Sequence, residues 1–286
     1  MSAEPSAIRA KEDRLSEIIR EMRRTVVAFS GGVDSSLLAV VAHGTLGDSK
    51  MLAVTAVSET FSSRDRGFVD RIVDRFALPH RFVETRELEN PEFADNPPTR
   101  CYACKSDLFL RLTELAREEG FDSVADGSTR DDLSDYRPGR AAARELGIRS
   151  PLVEAGFAKS DVRALSFKLG LPEPDRPASP CLASRIPYFT TITPERLRRI
   201  EASEEYLRSI GFEVVRVRDH KTIARIEVAP ERIESLLADN VFALVEFELI
   251  RLGYERVEVD PRGFRSGSLN EALGQKVDEE APPRRL

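Results

Sequence analysis

Two sets of residues in this chain have the types and spacing that chemistry needs. The first is the run Ser30-Gly31-Gly32-Val33-Asp34-Ser35-Ser36. Its glycines let the backbone turn sharply between a short apolar run and an apolar helix. Several N–H groups and the helix dipole then converge on one point that suits an anion. The hydroxyls of Ser30, Ser35 and Ser36 add donors. Asp34 would repel phosphate unless it holds a divalent cation, which implies Mg2+. An ordinary turn with an N-cap draws on the same residue types, but the flanking strand, the following helix and the complete seven-residue pattern favour an anion site. A phosphate-cleaving loop of the form G-x-x-x-x-G-K-[ST] would carry a lysine that is missing here.

The second set is the chain's three cysteines. Cys101 and Cys104 stand in Asn96-Pro97-Pro98-Thr99-Arg100-Cys101-Tyr102-Ala103-Cys104-Lys105, just ahead of a predicted helix. Cys181 stands in Ser179-Pro180-Cys181-Leu182-Ala183-Ser184-Arg185. Three thiolates, two of them at C-x-x-C spacing, can hold three irons of a [4Fe–4S] cluster and leave the fourth open to a sulfide. The alternatives are Zn2+ with a histidine as fourth ligand, a redox disulfide, or a reactive Cys181 that gives up its own sulfur. His43, His80 and His220 are the histidines, and none lies close in sequence to a cysteine. An odd cysteine count cannot form a complete disulfide framework and points to a reducing compartment.

These residues need a scaffold, and apolar periodicity supplies one. Ile8, Leu15, Ile18, Ile19 and Met22 form a helical stripe between Ser6 and Arg24. Strands are predicted at Thr25 to Phe29, Met51 to Val57, His80 to Val83 and Ser123 to Asp126. Helices are predicted between them at Ser35 to Leu46, Ser63 to Phe76 and Lys105 to Glu119, with another at Arg140 to Leu146. Near-continuous apolar strands alternating with amphipathic helices describe a doubly wound parallel α/β sheet, whose ligands sit at the carboxyl ends of the strands. Pro172, Pro174, Pro177, Pro180 and Pro187 break up the stretch from Gly170, a functional loop and domain boundary. Beyond it the pattern predicts a helix capped by Thr193 and opened by Pro194, running to Ile210. Strands follow at Glu213 to Arg218 and Ile223 to Val228, a helix opens at Pro230, another spans Phe242 to Leu252, and the last strand is Arg256 to Val259. The predicted domains are therefore 1–180 and a smaller α+β domain over 188–270, with a flexible charged tail over 271–286.

Composition narrows the function classes. Of 286 residues, 41% are hydrophobic and 32% charged, enough for a core and without the bias of disorder. The net charge of −6 argues against a chain-wide grip on nucleic acid, although local arginines can bind small anions. The opening residues lack the apolar core of a secretory signal and no apolar stretch is long enough to span a bilayer, so the expected location is the cytoplasm.

The phosphate turn resembles that of the PP-loop (HUP-like) ATP pyrophosphatases. The resemblance implies ATP cleaved between its α- and β-phosphates, an adenylated acceptor, and pyrophosphate held by the turn. A narrower likeness rests on the two cysteine motifs together with Ala125-Asp126-Gly127-Ser128-Thr129-Arg130-Asp131-Asp132 and Asp135-Tyr136-Arg137-Pro138-Gly139. Arg216-Val217-Arg218-Asp219-His220 and Ala224-Arg225-Ile226-Glu227-Val228 extend it. As a set these motifs, over about residues 10 to 270, resemble the LarE family of sulfur transferases that make the nickel-pincer nucleotide of lactate racemase. The likeness implies adenylation of a carboxylate of pyridinium-3,5-biscarboxylic acid mononucleotide, and then displacement of AMP by sulfur to give a thiocarboxylate. Family members carry either a sacrificial cysteine at the place of Cys181 or three cysteines with a cluster; all three are present here.

Roles follow for single residues. Ser30, Gly31, Gly32, Asp34, Ser35 and Ser36 are expected at pyrophosphate and Mg2+. Ala28 and Ser58 are expected at adenosine, and Gly127 and Thr129 at a second nucleotide turn, for which an ordinary Asp-Gly-Ser turn is the alternative. Arg216 and Arg218 share a strand face and could hold the substrate's phosphate; a solvated strand face would look the same. Arg185 could meet the substrate carboxylate. Glu204 and Glu231 are expected to be solvated helix-surface residues, with metal or subunit contacts as the alternative. A sulfur donor and a homo-oligomer are the expected partners. A cluster-bearing tRNA thiolase and a non-catalytic ATP or AMP sensor remain as other readings, the first disfavoured by the acidic balance and the missing zinc-ribbon cysteines.

Overall fold

The computed structural model describes residues 5–133, 139–177, 179–265 and 269. The chain divides into two compact units, Met1–Pro180 and Cys181–Leu286. The 271–286 tail and the stretch Asp135 to Pro138 of the quoted motif lie outside the described residues.

The first unit opens with α1 (Pro5–Glu21) and then alternates: β1 (Thr25–Ala28), α2 (Val33–Leu46), β2 (Met51–Val57), α3 (Ser63–Phe76), β3 (His80–Glu84), α4 (Pro91–Ala94), α5 (Arg100–Glu118), β4 (Ser123–Ala125), α6 (Gly139–Glu145), α7 (Pro151–Glu154) and α8 (Lys159–Lys168). The four strands are all parallel, in the order β3-β2-β1-β4. Alternation along each strand sends neighbouring residues to opposite faces. Val27 and Ala53 join one core with Leu15 and Ile18 of α1, Leu37 and Leu38 of α2, Phe68 and Ile72 of α3, and Val162 and Leu165 of α8. Val26, Leu52, Val54 and Val124 face the other way, onto Phe109 and Leu112 of α5 and Ala142 of α6. Helices therefore cover both faces, as the unbroken apolar strands require.

Four elements of this unit differ from the expectation. The helix predicted from Lys105 begins at Arg100, so Cys101 and Cys104 lie within its first two turns rather than ahead of it. Prolines 97 and 98 sit just outside the helix, and its first bonds are Arg100 N–H to the Pro97 carbonyl (3.0 Å) and Tyr102 N–H to that of Thr99 (2.8 Å). Helices α4, α7 and α8 were not anticipated. The signal for α8 was present in Val162, Leu165 and Leu169 at helical spacing, but four charged residues in its ten hid it.

In the second unit α9 (Pro194–Ser209), with Thr193 accepting the Arg196 N–H as N-cap, precedes β5 (Val215–His220) and β6 (Ile223–Val228). Then come α10 (Ile233–Leu237), α11 (Asp239–Arg251) and β7 (Arg256–Val259). The sheet is mixed: β5 and β6 are antiparallel, β6 and β7 parallel. Leu207 of α9 and Val245 and Leu249 of α11 pack on its Val215, Val217, Ala224, Ile226 and Val257. No helix among the described residues is long and apolar enough to cross a membrane.

Candidate functional site

The phosphate turn forms where β1 runs out and α2 begins. Gly31 adopts φ +76°, a left-handed conformation open to glycine, and a Cβ there would also meet Val69 at 2.8 Å. Gly32 is the N-cap and supplies no side-chain acceptor to the first-turn N–H groups of α2, which is what an anion site requires. Serines shape the turn. Ser35 donates to the Gly32 carbonyl (3.0 Å) and accepts the Ser30 N–H (3.3 Å), while Ser30 Oγ accepts the Gly32 N–H (3.4 Å). Ser36 is fully buried, and its hydroxyl has no hydrogen-bond partner among the described residues. An orphaned buried hydroxyl in a turn of this shape fits a ligand oxygen.

The turn that follows β4 comes down on the same helix end. A Cβ on Gly127 would lie 2.8 Å from both Cα and N of Ser35, so only a glycine allows this approach. Thr129, completely buried, donates through N–H (2.8 Å) and hydroxyl (2.9 Å) to Asp132; its polar atoms serve the turn itself. Sequence reasoning missed Lys159. At the first residue of α8, its ammonium is ion-paired with Asp34 and reaches Asp132 at 3.3 Å. The one signal for it was the α8 pattern, and the residue lies 125 positions beyond its partner.

Along the neighbouring strand Ala28 is half-buried, and Thr55 Oγ1 donates to the Phe29 carbonyl (2.6 Å). Thr55 has one hydroxyl proton, so His80 Nε2, 2.9 Å away, is the donor in their contact. Burial pushes the His80 pKa down to about 4, so the ring is neutral. Ser58, just past β2, donates to Glu87.

Cys101 is exposed and Cys104 half-buried, three residues apart and therefore on one face of α5. Arg100 beside them is buried, with Nη1 donating to Asn96 Oδ1 at 2.7 Å. Further on, Asp65 of α3 accepts Arg176 Nη2 (2.6 Å) and Ser179 Oγ (3.2 Å), anchoring the proline-rich stretch. Among the described residues no group of three or more His, Cys, Asp or Glu side chains is gathered as a metal site.

In the second unit Cys181 is exposed at the head of a short 3-10 turn, Leu182–Arg185. Arg185 is buried and bidentate to Glu204: Nε to Oε1 at 2.8 Å, Nη2 to Oε2 at 3.0 Å. This corrects the expectation of a solvated Glu204, which is 1% exposed; Glu231 is exposed as expected. Glu204 also accepts Arg208 Nη2 (2.7 Å) and the Val217 N–H (3.2 Å). Burial alone would raise its pKa; Arg185, Arg216 and Arg208 outweigh it and hold the carboxyl at about 2. Arg216 lies over the Phe264 ring, 5.3 Å to the centroid, and burial, with Arg185 nearby, lowers its pKa to about 10. Arg218 is bidentate to Glu227 at 3.0 and 2.8 Å and donates to the Ser184 carbonyl at 2.8 Å. This small unit thus gathers three guanidinium groups, of which Arg185 and Arg218 are each set by a carboxylate and Arg216 donates to the Val215 carbonyl at 2.8 Å.

A family model described as NAD synthase matches residues 7–90, the stretch holding the phosphate turn. An uncharacterized protein of Synechocystis sp. is 41% identical over 266 residues, 93% of this chain and 99% of that protein. The pyridinium-3,5-bisthiocarboxylic acid mononucleotide synthase of Lactiplantibacillus plantarum is 38% identical over 268 residues, 94% of this chain and 96% of that protein. A tRNA-specific 2-thiouridylase of Azorhizobium caulinodans is 32% identical over 200 residues, 54% of this chain and 49% of that protein.

Proposed function

We infer the function of this chain from the premise that it belongs to the LarE family, as its near full-length likeness to the pyridinium-3,5-bisthiocarboxylic acid mononucleotide synthase shows. It is an ATP-dependent sulfur transferase of nickel-pincer nucleotide biosynthesis. A carboxylate oxygen of pyridinium-3,5-biscarboxylic acid mononucleotide attacks the α-phosphorus of ATP, the bond to the β-phosphate oxygen breaks, and pyrophosphate leaves. Sulfur then attacks the acyl carbon, the bond to AMP breaks, and a thiocarboxylate forms. The observation that carries this reading is the convergence of the Ser30–Ser36 turn, Gly127 and Lys159 at the N-terminus of α2.

In this reading Gly31, Gly32, Ser35 and Ser36 hold the leaving pyrophosphate by first-turn N–H groups and hydroxyls. Asp34 holds Mg2+, which when bound supplies positive charge at the phosphate oxygens. Lys159 balances Asp34 and the developing charge of the leaving group. Ala28, Ser58, Gly127 and Thr129 border the adenosine, Thr129 by fixing its turn. Arg216 and Arg218 receive the substrate's phosphate and Arg185 its carboxylate, Glu204 and Glu227 setting their directions.

Cys101, Cys104 and Cys181 would hold a [4Fe–4S] cluster, which supplies a soft site for the transferred sulfur. Two thiols on one face of α5, one exposed and one half-buried, suit such a group. The first unit is the ATP pyrophosphatase domain and the second binds substrate. A sulfur donor reloads the site in the cytoplasm, and the protein is a homo-oligomer; exposed Leu244 and Phe247 on α11 support that assembly.

The test is to incubate the protein with ATP, Mg2+, sulfide and the dicarboxylated pyridinium mononucleotide, following AMP, pyrophosphate and the mass change from oxygen to sulfur. The half-length likeness to a 2-thiouridylase favours a second reading, a tRNA thiolase; AMP release that requires tRNA would select it. Nucleotide binding without turnover on either substrate would select a sensor.

A further inference from the structure

At the end of β2 a small polar cluster has a fixed direction. Glu87 is 8% exposed, and its Oε1 takes the hydroxyl protons of Ser58 (2.6 Å) and Thr60 (2.8 Å). Its Oε2 is buried with no partner among the described residues, so the two hydroxyls are what orient the carboxylate. A carboxylate only accepts, hence the Ser58 proton is committed to Glu87. One lone pair of Ser58 Oγ takes the Thr60 N–H at 3.2 Å. Thr60 Oγ1 also lies 3.0 Å from Ser58 Oγ, but its proton goes to Glu87, so the half-buried Ser58 hydroxyl has acceptor capacity left and no proton to give. Ser58 follows the last residue of β2, and β1 beside it in parallel leads into the phosphate turn, so both ends lie on the ligand side of the sheet.

We propose that Glu87 fixes Ser58 as a hydrogen-bond acceptor and so makes the end of β2 selective for a donor group on the adenosine moiety, either the exocyclic amine of adenine or a ribose hydroxyl. This rests on the proposed ATP reaction and adds the way the nucleotide is chosen. A phosphate oxygen, or the ring oxo group of hypoxanthine, presents an acceptor and would be repelled there. Glu87 is a positioning residue, acting through Ser58.

Affinities of the full chain with Mg2+ for ATP, inosine triphosphate, 2′-deoxy-ATP and 3′-deoxy-ATP test this by calorimetry. One analogue, the one lacking the donor, should bind about tenfold or more weaker than ATP. Ser58→Ala should bring ATP and that analogue to the same affinity. Glu87→Leu should weaken the preference, because the Ser58 proton then has no carboxylate to hold it and can turn outward; Thr60→Val, which leaves the Ser58–Glu87 bond, should keep the preference. Should Glu87→Leu not fold, the Ser58→Ala comparison decides alone. ATP binding with ratios unchanged in Ser58→Ala overturns the selectivity and leaves the sulfur transferase standing. No binding of any nucleotide sinks both.

Discussion

Lys159, the first residue of α8, is ion-paired with Asp34, the acidic residue of the phosphate turn, and its second partner is Asp132 at 3.3 Å. The pair is part-exposed, so its worth to folding is small, roughly 0 to 1 kcal/mol. Next to a polyphosphate the same ammonium is worth more. Lys159→Met should melt within a few degrees of the parent, yet bind Mg2+–pyrophosphate about tenfold more weakly, since a charge-assisted bond contributes about 1.5–3 kcal/mol. Calorimetric titration with pyrophosphate checks this, and an unchanged Kd would remove Lys159 from the site.

Ser36 separates stability from binding in the opposite sense. Its buried hydroxyl has no partner among the described residues, so Ser36→Ala should leave stability the same or slightly higher in denaturant titrations without nucleotide. ATP should then protect the variant less than it protects the parent, because the ligand oxygen loses a donor. Equal protection would mean the hydroxyl does not meet the nucleotide.

Gly127→Ala forces a methyl group against the Ser35 backbone at 2.8 Å. Over-packing of this kind costs about 1–3 kcal/mol, and the displaced atoms belong to the turn proposed to hold pyrophosphate. Both the urea midpoint and ATP affinity should fall together, in contrast to Ser36→Ala.

The pH dependence of stability should carry a mark of His80. Its folded pKa is about 4 against 6.5 for the free side chain. Between those values the unfolded chain binds the extra proton, so stability is full above pH 6.5 and falls as pH drops toward 4. Glu204, held at about 2 against 4.5, adds a further loss below pH 4.5. Urea midpoints from pH 7.5 to 4.5 should decline in the parent and decline less in His80→Gln; parallel curves would assign the slope elsewhere.

The cysteines are tested by metal content. Protein purified without oxygen should be brown with bound iron, and Cys104→Ala should lose both colour and iron. Zinc without iron in the parent would replace the cluster by a zinc site.

The sheet was legible because β1 and β2 are apolar on both faces and the strands are bounded by turn residues, and the Ser30–Ser36 turn because its glycines and serines stand close together. What escaped was non-local or locally masked. Lys159 meets Asp34 across most of the first unit, and nothing near either residue announces the other. Glu204 reads as one more charge in a helix rich in them; only the fold reveals that three arginines from other elements or the next turn surround it. The helix start at Arg100 was missed because Cys-Tyr-Ala-Cys carries no apolar period of its own.

Asp65 has a consequence for the proline-rich stretch that closes the first unit. By accepting Arg176 and Ser179 it ties down a stretch already stiffened by Pro172, Pro174, Pro177 and Pro180. Prolines leave the unfolded chain few backbone states, so ordering this stretch costs less than for an ordinary loop of its length. A ligand whose binding orders this stretch further would have its affinity correspondingly less reduced by ordering the chain.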